Sequence, residues 1–448
     1  MHPSSGYEGR YEGLLKTVIF IAASAAVALR YPRYLTEPRF WAEEGKVYFA
    51  YAYNHGWLDS LIAPHQGYYS LYPNLSTLLA ARLVPLEYAP HVTTLMAFFV
   101  QLLPFHIVLW GNAPVWGPVG RRAMAVLLIL LTPVSSEVWL STITSQFHFS
   151  LITFLIFMEL KDGAAPFILR RWYYRLLVLF AGLTGAVSLF FTPVFAWLAL
   201  KERKKEQYIH LGILLLCAVA EAAAIAASSG SGNVSGRLHE MNPELIPYMA
   251  WLKVFIGPLL GPGIADGLAR AAGRWLIGTG PAGVWSVGAA LALAFASVFF
   301  IMAGRARIRP NIAPFAAFAL LFVFSVLFAL GNKFCLLRVM CSPRYFYVPA
   351  VAFWLIIAVN LEHGGLREFA KSYRSVACGG LIAVVLAWGG LNYFGQMSRF
   401  TDPGWTDWKD EVEISRDNPG YLPRTWPQWP KSDWRVDLYG SGAPDAGE

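Results

Sequence analysis

Glu43 and Glu44 are adjacent carboxylates in a stretch, residues 37–72 (EPRFWAEEGKVYFAYAYNHGWLDSLIAPHQGYYSLY), that is otherwise dense in aromatic rings and histidines. A carboxylate in such a setting can take a proton from a reacting group. The same residues also fit a plainer structure. Trp41, Glu44, Tyr48, Tyr51 and His55 recur every three or four positions, as on an amphipathic helix lying in a membrane interface. Farther on, Lys333, Arg338 and Arg344 crowd one short segment, GNKFCLLRVMCSPRYFY. Fixed cations there can stabilise negative charge on a bound anion, or simply contact lipid headgroups. Gln146 and His148, like His55 and His65, can bind polar groups of a ligand, although a lone histidine serves as often in a structural hydrogen bond. Glu221 lies within the apolar run CAVAEAAAIA, where an ionisable group is costly unless a neighbouring helix satisfies it.

A metal site is not indicated: the outward loops hold no Asp-x-Asp, no helix carries a His pair at ligand spacing, and the cysteines and histidines do not cluster as they do around zinc. On a helix Glu43 and Glu44 would splay about 100° apart, which disfavours a shared cation. No glycine-rich phosphate loop is present, which argues against a nucleotide-dependent enzyme.

The elements that must position these residues are membrane helices. Of 448 residues 56% are hydrophobic and only 14% charged, and the mean hydropathy is +0.45; a soluble chain carries about 25% charged residues. Apolar runs fall at 16–30, 91–110, 123–140, 149–160, 208–227, 285–303, 313–330, 346–361 and 375–393. The first is expected to be a retained helix rather than a cleaved signal. Residues 176–200 form a further run, interrupted at Thr184-Gly185 and Thr192-Pro193 and flanked by basic residues at both ends. Basic flanks favour the cytoplasm, so this run reads as two short helices, 176–187 and 190–200, that dip in and return, with the turn at Ser188 facing a cavity. The fold expected is an all-α polytopic membrane protein of about eleven transmembrane helices with a long first outward loop, its N-terminus cytoplasmic and its C-terminus outside. The +8 charge then serves topology rather than nucleic-acid binding.

The outward face collects residues 37–72, 137–148, 228–283 and 331–345 and the chain from 395 onward. Residues 228–283 open on a glycine- and serine-rich run and include 247–262, which reads as an interfacial helix. Residues 1–395 thus make the transmembrane domain. Residues 396–448 make a Trp- and Pro-rich tail with Trp405, Trp408, Trp426, Trp429 and Trp434, too short for a core of its own and expected to pack over the outer helix ends. Its rings could stack on sugars or form an interface belt. Cys335 and Cys341 lie six apart, on different faces of a continuous helix, and are expected to be unbridged.

The run Phe40-Trp41-Ala42-Glu43-Glu44-Gly45, followed by Gly67-Tyr68 through Pro73, resembles the first outward loop of membrane glycosyltransferases of the GT-C superfamily. The interrupted segment Gly182-Leu183-Thr184-Gly185 to Pro193 is similar to that superfamily's paired short helices, and Arg344-Tyr345 to an Arg-Tyr feature at the outer end of a late helix. Two positions depart from the pattern: Glu44 stands where Asp is usual, and Asn74 where Arg is common. The resemblance implies an inner-membrane enzyme of bacterial type. It would move a sugar from a polyprenyl-phosphate carrier to a glycan, lipid or protein acceptor on the outer face, without a cofactor. Its partners would be that donor, the acceptor and the bilayer, with no nucleic acid. It implies Glu44 as the base, with Glu43 second, and Gly45 as the position that lets substrate approach closely. Arg344, Arg338, Lys333 and Tyr345 would hold the donor phosphate, and His65, Tyr68, Gln146 and His148 would bind substrate. The rival classes are a lipid-linked glycan flippase, which predicts repeated halves that this chain lacks, and a ligase or polymerase of preassembled glycans.

Overall fold

The computed structural model describes residues 5–133, 136–161, 168–228, 243–304, 308–329, 333–361, 372–394, 407–418, 420–426 and 434–438. These are helical with no β-strand: α1 (Ser5–Leu29), α2 (Leu71–Leu83), α3 (Ala89–Trp110), α4 (Val119–Leu131), α5 (Ser145–Lys161), α6 (Ile168–Gly182), α7 (Thr192–Glu202), α8 (Lys205–Ser228), α9 (Gly257–Gly278), α10 (Pro281–Ala303), α11 (Ile308–Phe328), α12 (Arg344–Val359), α13 (Tyr373–Asn392) and α14 (Trp408–Asp417). Among the described residues eight helices are long and apolar enough to cross a membrane, and α12 is a shorter apolar one. The chain is an all-α polytopic membrane protein.

The core forms where helices are apolar all round. Every residue of α12 after Arg344 is buried, and 89% of the apolar window of α5 is buried, against 11% in α1. So α5 and α12 sit at the centre and α1 at the lipid-facing rim. Two expected spans change. Residues 123–140 do not form one helix: α4 stops at Leu131, about 20 Å long, and a turn follows. Residues 247–262 are not a separate interfacial helix but part of the long apolar helical segment Pro243–Gly278, broken at Gly261, where φ is +80°. Only glycine adopts that geometry at low cost, and Trp388 of α13 packs where a side chain would stand. The run 176–200 does split, into α6 and α7 with a 3-10 turn, Ala186–Phe191, between them.

The break at Gly261 matters for the turn before α12. On a straight helix Lys253 and Asp266 would lie about 20 Å apart, yet both reach residues 338–341. The buried Lys253 ammonium donates to the carbonyls of Arg338 and Cys341, each at 2.7 Å, and Asp266 accepts from the Val339 N–H at 2.8 Å. These contacts take the backbone groups that would have continued the helix Lys333–Leu337, and the chain turns instead. Cys335 and Cys341 are thereby brought to a Cα separation of 5.6 Å and form a disulfide, contrary to the sequence expectation. The expectation assumed a continuous helix; the turn removes that premise.

The described part of the tail is woven into the first loop. Trp426 donates its N–H to the Phe40 carbonyl at 2.8 Å and accepts from the Ala42 N–H. Arg39 reaches the buried Glu411 at 3.1 Å, and Glu411 also accepts from Tyr421 (2.6 Å) and from Arg424. Phe40, Phe49, Trp408, Val412, Val436 and Leu438 share one small apolar core. Tail and loop therefore fold together. Gly45 serves this packing rather than substrate approach: a Cβ there would lie 2.5 Å from Thr425 Cγ2 and 2.8 Å from Phe40 Cβ. Gly45→Ala is expected to cost about 1–3 kcal/mol through this clash. The measure is thermal unfolding together with limited proteolysis of the tail, which the variant should release earlier than the parent.

Candidate functional site

The stretch around Glu43 and Glu44 is held from both sides. Glu44–Phe49 winds as a π-helix with Glu44 wholly inside. One Glu44 carboxylate oxygen accepts from the backbone N–H of Thr142, at 2.8 Å, and from its hydroxyl; the other accepts from the Trp41 N–H at 3.2 Å. Burial pushes this carboxyl above its usual range, and these hydrogen bonds partly offset the shift. Glu44 thus ties the first loop to the segment leading into α5.

Glu43 points the other way. It lines a small cleft together with Tyr48, Gln66, Tyr68, Ile143, Thr144, Gln146, Phe147, Arg344 and Tyr345. Gln66 and Gly67 form the two-residue turn of a tight hairpin, with φ of +54° and +83°. His65 and Tyr68 exchange both backbone hydrogen bonds across it, at 3.0 and 3.1 Å, as a type I′ turn requires. The His65 ring packs edge-on to Tyr48 and Tyr51, and burial pushes its pKa down to about 4, so it is neutral near pH 7.

Beyond the hairpin the chain pairs with the break between α6 and α7. Leu71 donates to the Leu183 carbonyl at 2.7 Å, and Gly185 to the Tyr69 carbonyl at 3.1 Å. Two non-helical stretches thereby satisfy each other's backbone groups. Glu221 of α8 accepts the remaining Tyr69 N–H at 3.0 Å, which gives that costly buried carboxylate a structural task. Ser188 is buried, while its neighbours Ala186, Val187 and Phe190, with Ile225 and Phe328, wall a second, apolar cleft that is larger than the first. Gln66, Tyr68, Gln146 and Tyr345 line both clefts, so a polar chamber and an apolar one lie side by side.

Arg344 enters the polar chamber from the first turn of α12, with its guanidinium over the Tyr345 ring and 3.5 Å from Glu137. Among the described residues no group of three could hold a metal ion.

The chain matches no family model, no curated protein and no solved structure.

Of the residues singled out in the sequence, Glu43, Tyr68, Gln146, Arg344 and Tyr345 meet at the cleft. The others stand apart. Arg338 is half-exposed and faces Asp266 at 3.5 Å. Lys333 belongs to the short helix before the turn, and its side chain lies outside the described residues, as do Trp405 and Trp429. His148 is buried behind the site; its Nε2–H donates to the Val138 carbonyl at 2.7 Å, which makes it a support for the turn at 136–138. Trp408 and Trp426 are fully buried and therefore offer no face to a sugar. Gln66 and Glu137 escaped the sequence reading. The Gln-Gly pair before two tyrosines was the one signal for the hairpin that places Gln66.

The partners of Glu44 fix what its replacement should do. An amide in Glu44→Gln can still accept from Thr142 but sets a donor against the Trp41 N–H, a loss of about 1–3 kcal/mol. Purified Glu44→Gln should melt lower than the parent while its turnover per folded molecule stays within a few-fold. A loss of turnover by orders of magnitude without a change in melting would place Glu44 in the chemistry instead.

Proposed function

We propose that this protein is an integral-membrane glycosyltransferase that moves a sugar from a polyprenyl-phosphate carrier to an acceptor hydroxyl. The observation that supports this reading best is the pair of adjoining clefts, one polar and one apolar, that share four lining residues. A donor of this class is amphiphilic in the same sense: its lipid chain suits the walls of Phe190, Ile225 and Phe328, and its phosphate and sugar suit the chamber of Arg344, Gln66, Gln146 and the tyrosines. In this reading Glu43, rather than Glu44, takes the proton of the acceptor as its oxygen attacks the anomeric carbon. Arg344 stabilises the charge that grows on the leaving lipid phosphate. Gln66, Gln146 and Thr144 offer side-chain groups for sugar hydroxyls. The resemblance of residues 40–45 and 67–73 to GT-C enzymes points the same way.

The test is transfer of labelled sugar from a short polyprenyl-phosphate sugar by the full chain in liposomes, read against movement of the same lipid between leaflets. Transfer to an acceptor supports the reading. Lipid movement without transfer would favour a flippase.

A further inference from the structure

Arg344 faces two carboxylates across a small space, and its ion pair is with Glu137, not with the cleft carboxylate Glu43. Glu137 is itself firmly placed. It sits in the 3-10 turn Ser136–Val138, whose last carbonyl accepts from Gln101 of α3 at 2.9 Å and from His148 of α5 at 2.7 Å. The following residue, Trp139, donates to the Val27 carbonyl of α1 at 3.2 Å. Three helices thus anchor a short turn whose one charged side chain faces the start of α12. Glu137 feels the Arg344 guanidinium, the Arg344 backbone N–H and the more distant Lys253 ammonium as attractions, and Glu43 as a repulsion; burial still holds its carboxyl above the usual range.

From this geometry we propose that Glu137 is a positioning residue that keeps the Arg344 guanidinium off Glu43. A guanidinium carries five N–H donors, and at 3.5 Å the Glu137 contact is a loose one that leaves most of them for an anion in the cleft. Without Glu137 the remaining carboxylate that acts on Arg344 among the described residues is Glu43. Their pairing would tie up the base and the phosphate-binding cation together. Lys253 does not take over, because its ammonium is committed to the carbonyls of residues 338 and 341. The Arg344 guanidinium also meets the Tyr345 side chain, a contact that a change at Glu137 leaves in place.

The inference deepens the donor-site reading and rests on it for what Arg344 and Glu43 do, so the experiment needs one readout without substrate. Full-length protein in nanodiscs is treated with phenylglyoxal, which modifies accessible guanidinium groups, and Arg344 modification is followed by peptide mass spectrometry. In Glu137→Gln the guanidinium turns to Glu43, and modification should slow by about threefold or more. In Glu137→Asp it should stay near the parent rate. In the double variant Glu137→Gln with Glu43→Gln neither carboxylate remains, and it should be faster than in the parent. With donor, Glu137→Gln should raise KM by about tenfold, and Glu137→Asp should restore most of it. An Arg344 modification rate in Glu137→Gln equal to the parent's, or a slowing that survives the added Glu43→Gln change, overturns the proposal. Absence of transfer by the parent protein would instead overturn the donor reading, and the modification rates would still decide what Glu137 does.

Discussion

Glu43→Gln is expected to lower sugar transfer by about two to four orders of magnitude, the usual worth of a positioned proton acceptor. The isosteric amide keeps the size of the side chain in the cleft beside Tyr48, Tyr68 and Arg344, but it cannot hold the proton released as the acceptor oxygen attacks. Among the described residues no hydrogen bond or ion pair involves this side chain, so folding and donor affinity should be preserved. Initial rates with saturating donor, measured beside donor binding, check it. A Glu43→Gln enzyme that turns over within tenfold of the parent would remove Glu43 from the mechanism. Read beside Glu44→Gln, the two results separate the neighbouring acids: one change should cost rate, the other stability.

Arg344→Ala is expected to cost about 2.7–4 kcal/mol in transition-state stabilisation, a loss of roughly 10²–10³-fold in kcat/KM. Arg344 is the one cation among the described lining residues of either cleft, so none of those residues replaces its charge. Donor affinity should weaken along with turnover, because the charge is present before the bond breaks as well as during it. Lysine at this position should recover only part of the loss, since a point charge does not reproduce the planar fork of a guanidinium. An unchanged donor KM in Arg344→Ala would place the phosphate elsewhere.

How much of this was legible follows from what each residue needed. The membrane helices were plain, because apolar length alone marks a span. The split of residues 176–200 was readable from Thr184-Gly185 and Pro193, which cannot continue a helix in comfort. The turn beneath Cys335 and Cys341 was not. It depends on Lys253 and Asp266, residues some 70 to 90 positions away that a break at Gly261 brings to one place. Which of Glu43 and Glu44 lines the cleft was hidden for a related reason. Two adjacent acids differ only in which way each points, and that was decided by Thr142, nearly a hundred residues on. Likewise the role of Gly45 could be seen only once Thr425 and Val436 were known to press against it. Local pattern reveals which residues can do chemistry; distant partners select among them.

The weave of loop and tail sets an order on the making of this protein. Residues 39–45 leave the ribosome early, yet Arg39 and Ala42 bond to Arg424, Glu411 and Trp426, more than 370 residues later. The floor of the same stretch, residues 69–72, waits for Leu183, Thr184 and Gly185. The first loop is therefore the earliest part of the cleft to be synthesised and the last to be finished. A chain clipped just before Arg424 carries the described membrane helices and both acids but lacks the part of the seam that Arg424, Trp426 and Val436 supply.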